Sequence, residues 1–174
     1  MTPGSSESVV MMNRRRIERT LKRMALEVLE QAGSEDYILL VGIKDRGMAV
    51  ATQLGRYLRE TSGFEVEVEP IDVESNNSFD QKRQKAPGLV LLVDDVIFSG
   101  RTFFRALRQI SEAWETSPDQ LFGAVLIDRG HRKMPVEARF VGMQLATKLK
   151  EHVEVSVKEG EADRVVLFRN GGME

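Results

Sequence analysis

The chain has 174 residues, 41% of them hydrophobic and 30% charged, with a formal net charge of −2, enough for one domain with a substantial core. It carries no cysteine and two histidines, which excludes disulfides, thiolate metal sites, thiol catalysis and a poly-histidine metal centre. No apolar run approaches the roughly 20 residues a membrane span needs, and the near-neutral charge weighs against general nucleic-acid binding, which rests on many cations facing phosphates.

Residues 1–12 are expected to form a disordered tail. Met1–Val10 is rich in Ser and Gly and lacks the charged start and apolar middle of a signal peptide, so the cytoplasm is the default address. A single domain is expected over 13–174. From about Asn13 to Gln31, Ile17, Leu21, Met24, Val28 and Leu29 recur at helical spacing, and Gly33 suits the C-cap. Arg14, Arg15, Arg16, Arg19, Lys22 and Arg23 crowd this helix. A solvated face offset by Glu18, Glu27 and Glu30 is favoured there over RNA contact.

Tyr37–Ile43 is a short apolar strand, followed by Lys44-Asp45-Arg46-Gly47 and a helix from Met48 to about Glu60. Phe64–Val73 alternates Val66 and Val68 with glutamates, as a half-exposed strand does. Glu74–Gly88 is polar, with Asn76-Asn77 and Pro87-Gly88, and reads as a loop or weak hairpin. Leu89–Val93 is a buried strand, Thr102–Ala113 a helix and Leu121–Ile127 another buried strand. Glu137–Val141 is a short strand candidate, and Val153–Val157 with Arg164–Phe168 suit a hairpin around Gly160. Strands alternating with helices predict an α/β fold with a mainly parallel twisted sheet flanked by helices. Ligands of such sheets bind beyond the carboxyl ends of the strands. Segments 44–47, 94–102 and 128–132 all fall at such ends, which places one site at one rim.

The most informative run is Asp94-Asp95-Val96-Ile97-Phe98-Ser99-Gly100-Arg101-Thr102. Ionised carboxylates only accept hydrogen bonds, so Asp94 and Asp95 suit the two hydroxyls of a ribose ring. Successive amides from Phe98 to Thr102, with the Ser99 and Thr102 hydroxyls, suit a phosphate at a helix N-terminus. Acidic pairs at strand ends are often caps or solvated turns, but the Ser-Gly-Arg-Thr that follows favours a sugar-phosphate site. No Gly-x-x-x-x-Gly-Lys-Ser/Thr and no Gly-x-Gly-x-x-Gly occurs. Lys44 and Arg46, with the amide of Gly47, suit a pyrophosphate, whose oxygens an arginine grips in pairs; the bland reading is a charged turn. Asp128–Arg132 is open between a solvated turn and a contact with substrate.

Three segments carry a resemblance: Leu40–Gly47 (LVGIKDRG), Val90–Thr102 (VLLVDDVIFSGRT) and Ala124–Pro135 (AVLIDRGHRKMP). In order, they resemble the type I phosphoribosyltransferases, and within them the pyrimidine-operon regulator (PyrR) family, over roughly residues 15–170. The resemblance implies that fold with a hood, here reduced, at about 72–88. It implies transfer of the ribose phosphate of phosphoribosyl pyrophosphate (PRPP) to uracil, giving UMP and pyrophosphate. The same family pairs this chemistry with RNA-binding control of pyrimidine genes.

Carried over by position, Asp94 and Asp95 would hold the ribose hydroxyls, and Phe98, Ser99, Gly100, Arg101 and Thr102 the 5′-phosphate. Lys44, Asp45, Arg46 and Gly47 would form the pyrophosphate loop, often with a strained peptide. Ile127, Asp128 and Arg129 would border the base. Lys44, Arg46, Asp94 and Asp95 are the expected catalytic residues. Mg²⁺ would arrive with PRPP, held by its pyrophosphate and ribose oxygens, with Asp94 and Asp95 as candidate protein ligands, and a homodimer is implied. Departures fall in three places, the first being Phe98-Ser99-Gly100 where the family usually has Tyr-Thr-Gly, with the ring and one hydroxyl kept. The family's Tyr-Arg-Asp-Asp loop is replaced by Glu74–Asp80, which favours a weakly active or inactive nucleotide-sensing regulator as the alternative. On the RNA side, Leu26, Gln31 and Glu137 stand where His, Arg and a basic residue are expected, while Arg23, His131 and Arg132 are kept.

Overall fold

A computed structural model describes residues 7–75, 87–113 and 120–169. Its centre is a five-stranded sheet built from β2 (Tyr37–Ile43), β3 (Glu65–Ile71), β4 (Leu89–Ile97), β5 (Leu121–Asp128) and β6 (Phe140–Gln144), in the order β3-β2-β4-β5-β6. Every neighbouring pair is parallel. Strands covered on both faces need apolar side chains on both, and all seven residues of β2 are buried.

Helices α1 (Arg14–Ala32) and α2 (Lys44–Thr61) contribute Ile17, Leu21, Met24, Val28, Val50 and Leu54 to one core with Ile38, Leu40, Leu91 and Val93. On the other face, α3 (Arg101–Ala113) packs Phe103, Ala106 and Ile110 against Leu39, Val41, Val90 and Leu92. The alternation of Leu39 with Leu40 and of Leu91 with Leu92 is the period of two that a strand imposes. α1 starts where Asn13 accepts a hydrogen bond from the Arg16 amide at 2.9 Å, and it ends at Gly33 with φ 59°.

The expected disordered tail is corrected at residues 7–12. Glu7–Met12 forms β1, which pairs antiparallel with β8 (Glu161–Arg169), and β8 pairs with β7 (Glu151–Lys158) in a second sheet of order β1-β8-β7. Met12 is 2% exposed and packs into the first core; burial of its side chain and the backbone ladder to β8 order this segment. Residues 1–6 lie outside the described residues. Val153, Val155, Ala162, Val165 and Leu167 seat the small sheet on the same core.

The expected β7–β8 hairpin is present, turning at Glu159-Gly160. β6 begins three residues later than Glu137, and β4 runs on through the two aspartates to Ile97. α2 begins at Lys44 rather than Met48, so the 44–47 segment is the first turn of a helix. Of the expected hood at 72–88, residues 76–86 lie outside the described residues. Among the described residues no helix is long and apolar enough to cross a membrane.

Candidate functional site

β2 lies between β3 and β4, so the chain leaves β2 to one side and returns on the other. The carboxyl ends of β2 and β4 therefore flank the switch point at which α/β sheets open a crevice. A cleft of about 430 Å³ lies there, lined by Ile43, Lys44, Asp45, Arg46, Asp94, Asp95 and Thr102. Six of these seven were expected from the sequence; Ile43 was not, because an apolar strand-end residue carries no chemical signature.

The cleft's two walls meet at Gly47. A Cβ there would stand 2.8 Å from the Val93 carbonyl oxygen and 3.3 Å from Asp94 Oδ1. Only a hydrogen lets α2 close onto the end of β4 at this distance. Lys44 opens the helix with φ 52°, a left-handed conformation that is uncommon for a residue with a Cβ and that gathers at functional sites.

Asp94 and Asp95 are adjacent, and the Asp95 amide donates to Asp94 Oδ1 at 2.9 Å. Burial raises the Asp94 pKa well above the ordinary carboxyl value, and the Asp95 carboxylate raises it further. The Asp95 amide and the charge of Lys44 oppose the shift without cancelling it. A carboxyl held in this way gains most from hydrogen-bond donors or positive charge delivered by a ligand.

The cations across the cleft are already paired. Lys44 Nζ lies 3.2 Å from Glu74 Oε1, and Arg46 Nη2 lies 3.3 Å from Glu154 Oε1. Glu74 was expected only as part of the reduced hood, with no role at Lys44, and Glu154 was not expected at the site, because both pairings arise through tertiary closure.

The 98–102 loop is clamped from the 128–136 segment. Arg132 donates to the Phe98 carbonyl at 2.8 Å, and the Lys133 and Met134 amides donate to the Ser99 carbonyl at 2.9 and 3.1 Å. Gly100 sits at φ 80°, where a Cβ would also come within 2.5 Å of Val136 Cγ2. These contacts tie the Phe98 and Ser99 carbonyls behind the loop, and the Arg101 amide turns inward to Ser99 Oγ at 3.5 Å where α3 begins. Phe98 itself lies under the Arg129 guanidinium, 4.3 Å from its ring centre, and 5.6 Å from the His131 ring.

The three residues expected to border the base do not line the cleft. Ile127 is fully buried in the first core. Asp128 accepts from the Gly130 amide and from Arg132, both at 2.8 Å. Arg129 is 7% exposed and donates to Thr147 Oγ1 at 3.0 Å and to the Glu151 carbonyl at 2.6 Å. All three side chains are committed to the protein.

The basic helix is also largely committed. Arg14 pairs with Glu18 at 3.4 Å and Glu161 at 2.6 Å, and Arg23 pairs with Glu27 at 2.5 Å, as the solvated-face reading expects. Arg23 further caps the Val141 and Gly142 carbonyls of β6. His131 Nε2 contacts the Thr147 carbonyl. Among the described residues no cluster of three or more His, Cys, Asp or Glu suited to a metal is present.

A model of the phosphoribosyl transferase domain matches residues 11–160. A protein of Herpetosiphon aurantiacus described as bifunctional protein PyrR is 37% identical over 173 residues, covering 91% of this chain and 96% of its own. One of the same description from Bacillus cereus is 33% identical, covering 93% and 98%. Among solved structures, a hypoxanthine-guanine phosphoribosyltransferase of Leishmania tarentolae in complex with GMP superposes with a TM-score of 0.68 at 16% identity, covering 97% and 99%. A hypoxanthine-guanine phosphoribosyltransferase of Bacillus anthracis superposes with a TM-score of 0.66 at 18% identity, covering 83% and 85%. The likeness to these structures is one of fold, and with the domain match and the PyrR relatives it shows that the chain belongs to the type I phosphoribosyltransferases as a PyrR-like member.

Proposed function

We propose that the cleft binds PRPP and transfers its ribose phosphate to uracil, forming the N1–C1′ bond of UMP as the C1′–O bond to pyrophosphate breaks and N1 loses its proton. The observation that carries this reading is the meeting, in one cleft, of the adjacent, half-buried carboxylates of Asp94 and Asp95 with the first turn of α2 and its two cations. Asp94 and Asp95 accept from the ribose 2′- and 3′-hydroxyls. The amides of the 98–102 loop enclose the 5′-phosphate at the start of α3. Lys44, Arg46 and the Gly47 amide take the pyrophosphate, where negative charge grows as the bond to C1′ breaks. Ile127, Asp128 and Arg129 contribute to the base side through backbone and position, since their side chains are occupied.

A divalent cation fits the donor set in one way. Two adjacent carboxylates are hard oxygen ligands, but too few to enclose an ion, so Asp94 and Asp95 suit Mg²⁺ only if substrate oxygens and water complete its shell. Bound there, Mg²⁺ would neutralise charge on the leaving pyrophosphate. The protein's own part is to fix the sugar and both phosphate groups in line and to hold them there.

Incubation of the protein with labelled uracil, PRPP and Mg²⁺ tests the reaction: UMP is expected. A second reading keeps the pocket but makes it a nucleotide sensor acting on RNA, which the shared description of the relatives as bifunctional favours. Absence of UMP alongside measurable UMP binding would replace the enzyme reading with that one. A salt-dependent RNA shift assay, with unrelated RNA as control, tests the RNA arm. Arg23 and Arg132 are spent on internal carbonyls, so binding through those two positions is not expected.

A further inference from the structure

The two cations of the cleft face carboxylates that neither the sugar grip nor the phosphate loop requires. Glu74 stands one turn beyond β3, where its own amide donates to Asp72 Oδ1 at 3.0 Å and Ser75 Oγ donates to the Asp72 carbonyl at 3.2 Å. This turn aims Glu74 at Lys44 Nζ, 3.2 Å away. Glu154 lies in β7 between Val153 and Val155, both buried, so strand alternation turns it outward, and there it meets Arg46 at 3.3 Å. One glutamate follows the last strand residue of β3 in a turn and the other lies in β7, and together they occupy Lys44 and Arg46 of the α2 first turn.

From this we infer that Glu74 and Glu154 are specificity-determining residues, internal anions that compete with the pyrophosphate group and so set how strongly the cleft prefers a diphosphate ligand over a monophosphate one. The inference rests on the pyrophosphate assignment of Lys44 and Arg46. A ligand must displace both carboxylates to reach the two cations. A monophosphate held by the 98–102 loop, where α3 begins, needs neither cation and so displaces neither carboxylate.

All four side chains are at least 40% exposed, and exposed ion pairs exchange with solvent at little cost. The glutamates therefore attenuate affinity and do not block the cleft. On binding, each loses a cation and returns to water, while Lys44 and Arg46 exchange one carboxylate for diphosphate oxygens. The arrangement also keeps the empty cleft from presenting two unpaired cations beside the start of a helix, which would attract any small anion.

Removing one carboxylate charge should tighten diphosphate binding by about the worth of an exposed pair, roughly 2- to 5-fold. The test is calorimetric titration of the intact protein with inorganic pyrophosphate, and separately with UMP, for wild type, Glu74→Gln, Glu154→Gln and the double variant. The expected result is tighter pyrophosphate binding in each single variant, a further gain in the double variant, and unchanged UMP affinity. Pyrophosphate affinity unchanged or weaker in the double variant, with wild type binding normally, overturns this inference alone and leaves the cleft assignment standing. An equal gain for UMP also overturns it, since that marks a general field and not competition at Lys44 and Arg46. Absence of pyrophosphate binding in all four proteins removes the inference together with the assignment on which it rests.

Discussion

Gly47 and Asp94 touch across the cleft so closely that a single methyl group would separate them: a Cβ on Gly47 would lie 3.3 Å from Asp94 Oδ1 and 2.8 Å from the Val93 carbonyl oxygen. The first turn of α2 and the end of β4 are thus fixed relative to one another by the absence of a side chain. Gly47→Ala should push α2 outward at a cost of about 1–3 kcal/mol, the usual scale for overpacking. Urea denaturation measures the loss, and PRPP titration should show weaker binding, because the cations and the carboxylates no longer face the same ligand. Full stability with full affinity would mean that the two walls move independently.

Asp94 links the cleft to pH. Its folded pKa is raised, by burial first and by Asp95 second. A carboxyl with a raised folded pKa contributes stability below its unfolded value, and that contribution is lost as pH rises through the folded value. The ligand-free protein should therefore lose stability through Asp94 as pH climbs from about 4 toward neutrality. Asp94→Asn should flatten that fall and raise the Tm near neutral pH, by about 2–4 °C for each kcal/mol relieved. Scanning calorimetry across pH checks both. A Tm for the variant below wild type at neutral pH would contradict the sign.

Arg129 connects the phosphate loop to the second sheet. It lies over Phe98 at 4.3 Å, and its other contacts are Thr147 Oγ1 and the Glu151 carbonyl at the start of β7. Arg129→Lys keeps the charge but cannot reproduce the planar stack or the two-directional hydrogen bonding. A loss of roughly 1.5–3 kcal/mol is expected, the scale of charged hydrogen bonds left unmade, with phosphate-ligand affinity falling alongside. Denaturant titration of the variant reads the first and UMP binding the second. Unchanged values of both would show that the stack carries no structural weight.

How much of this was readable in the chain depends on how local each feature is. The buried strands β2, β4 and β5 and helices α1 and α3 announce themselves by periodicity, and the Asp94–Thr102 run joins strand end, carboxylates and loop within nine residues. The order of such features along the chain is enough to put Lys44, Arg46, Asp94 and Thr102 at one rim. β1 is different: Val9, Val10, Met11 and Met12 gain strand character from β8, which lies some 150 residues away in sequence, and no local pattern announces that partner. The partners of Arg23, Arg129 and Arg132 are mostly backbone carbonyls. Carbonyls occur at every residue, so an arginine committed to them looks, in the sequence, the same as one facing a ligand. The pairings of Glu74 with Lys44 and Glu154 with Arg46 were hidden because the partners lie 30 and 108 residues apart in sequence.

Binding in the cleft turns above all on Asp94 and Asp95 gripping a phosphorylated pentose. Titration of PRPP with Mg²⁺ into wild type and into the Asp94→Asn/Asp95→Asn double variant tests this directly, with the melting temperature of each recorded in parallel. Loss of two charge-assisted hydrogen-bonding groups should weaken binding by at least about 100-fold, while the variant melts no lower than wild type. Equal PRPP affinity in a double variant that remains folded would contradict the assignment.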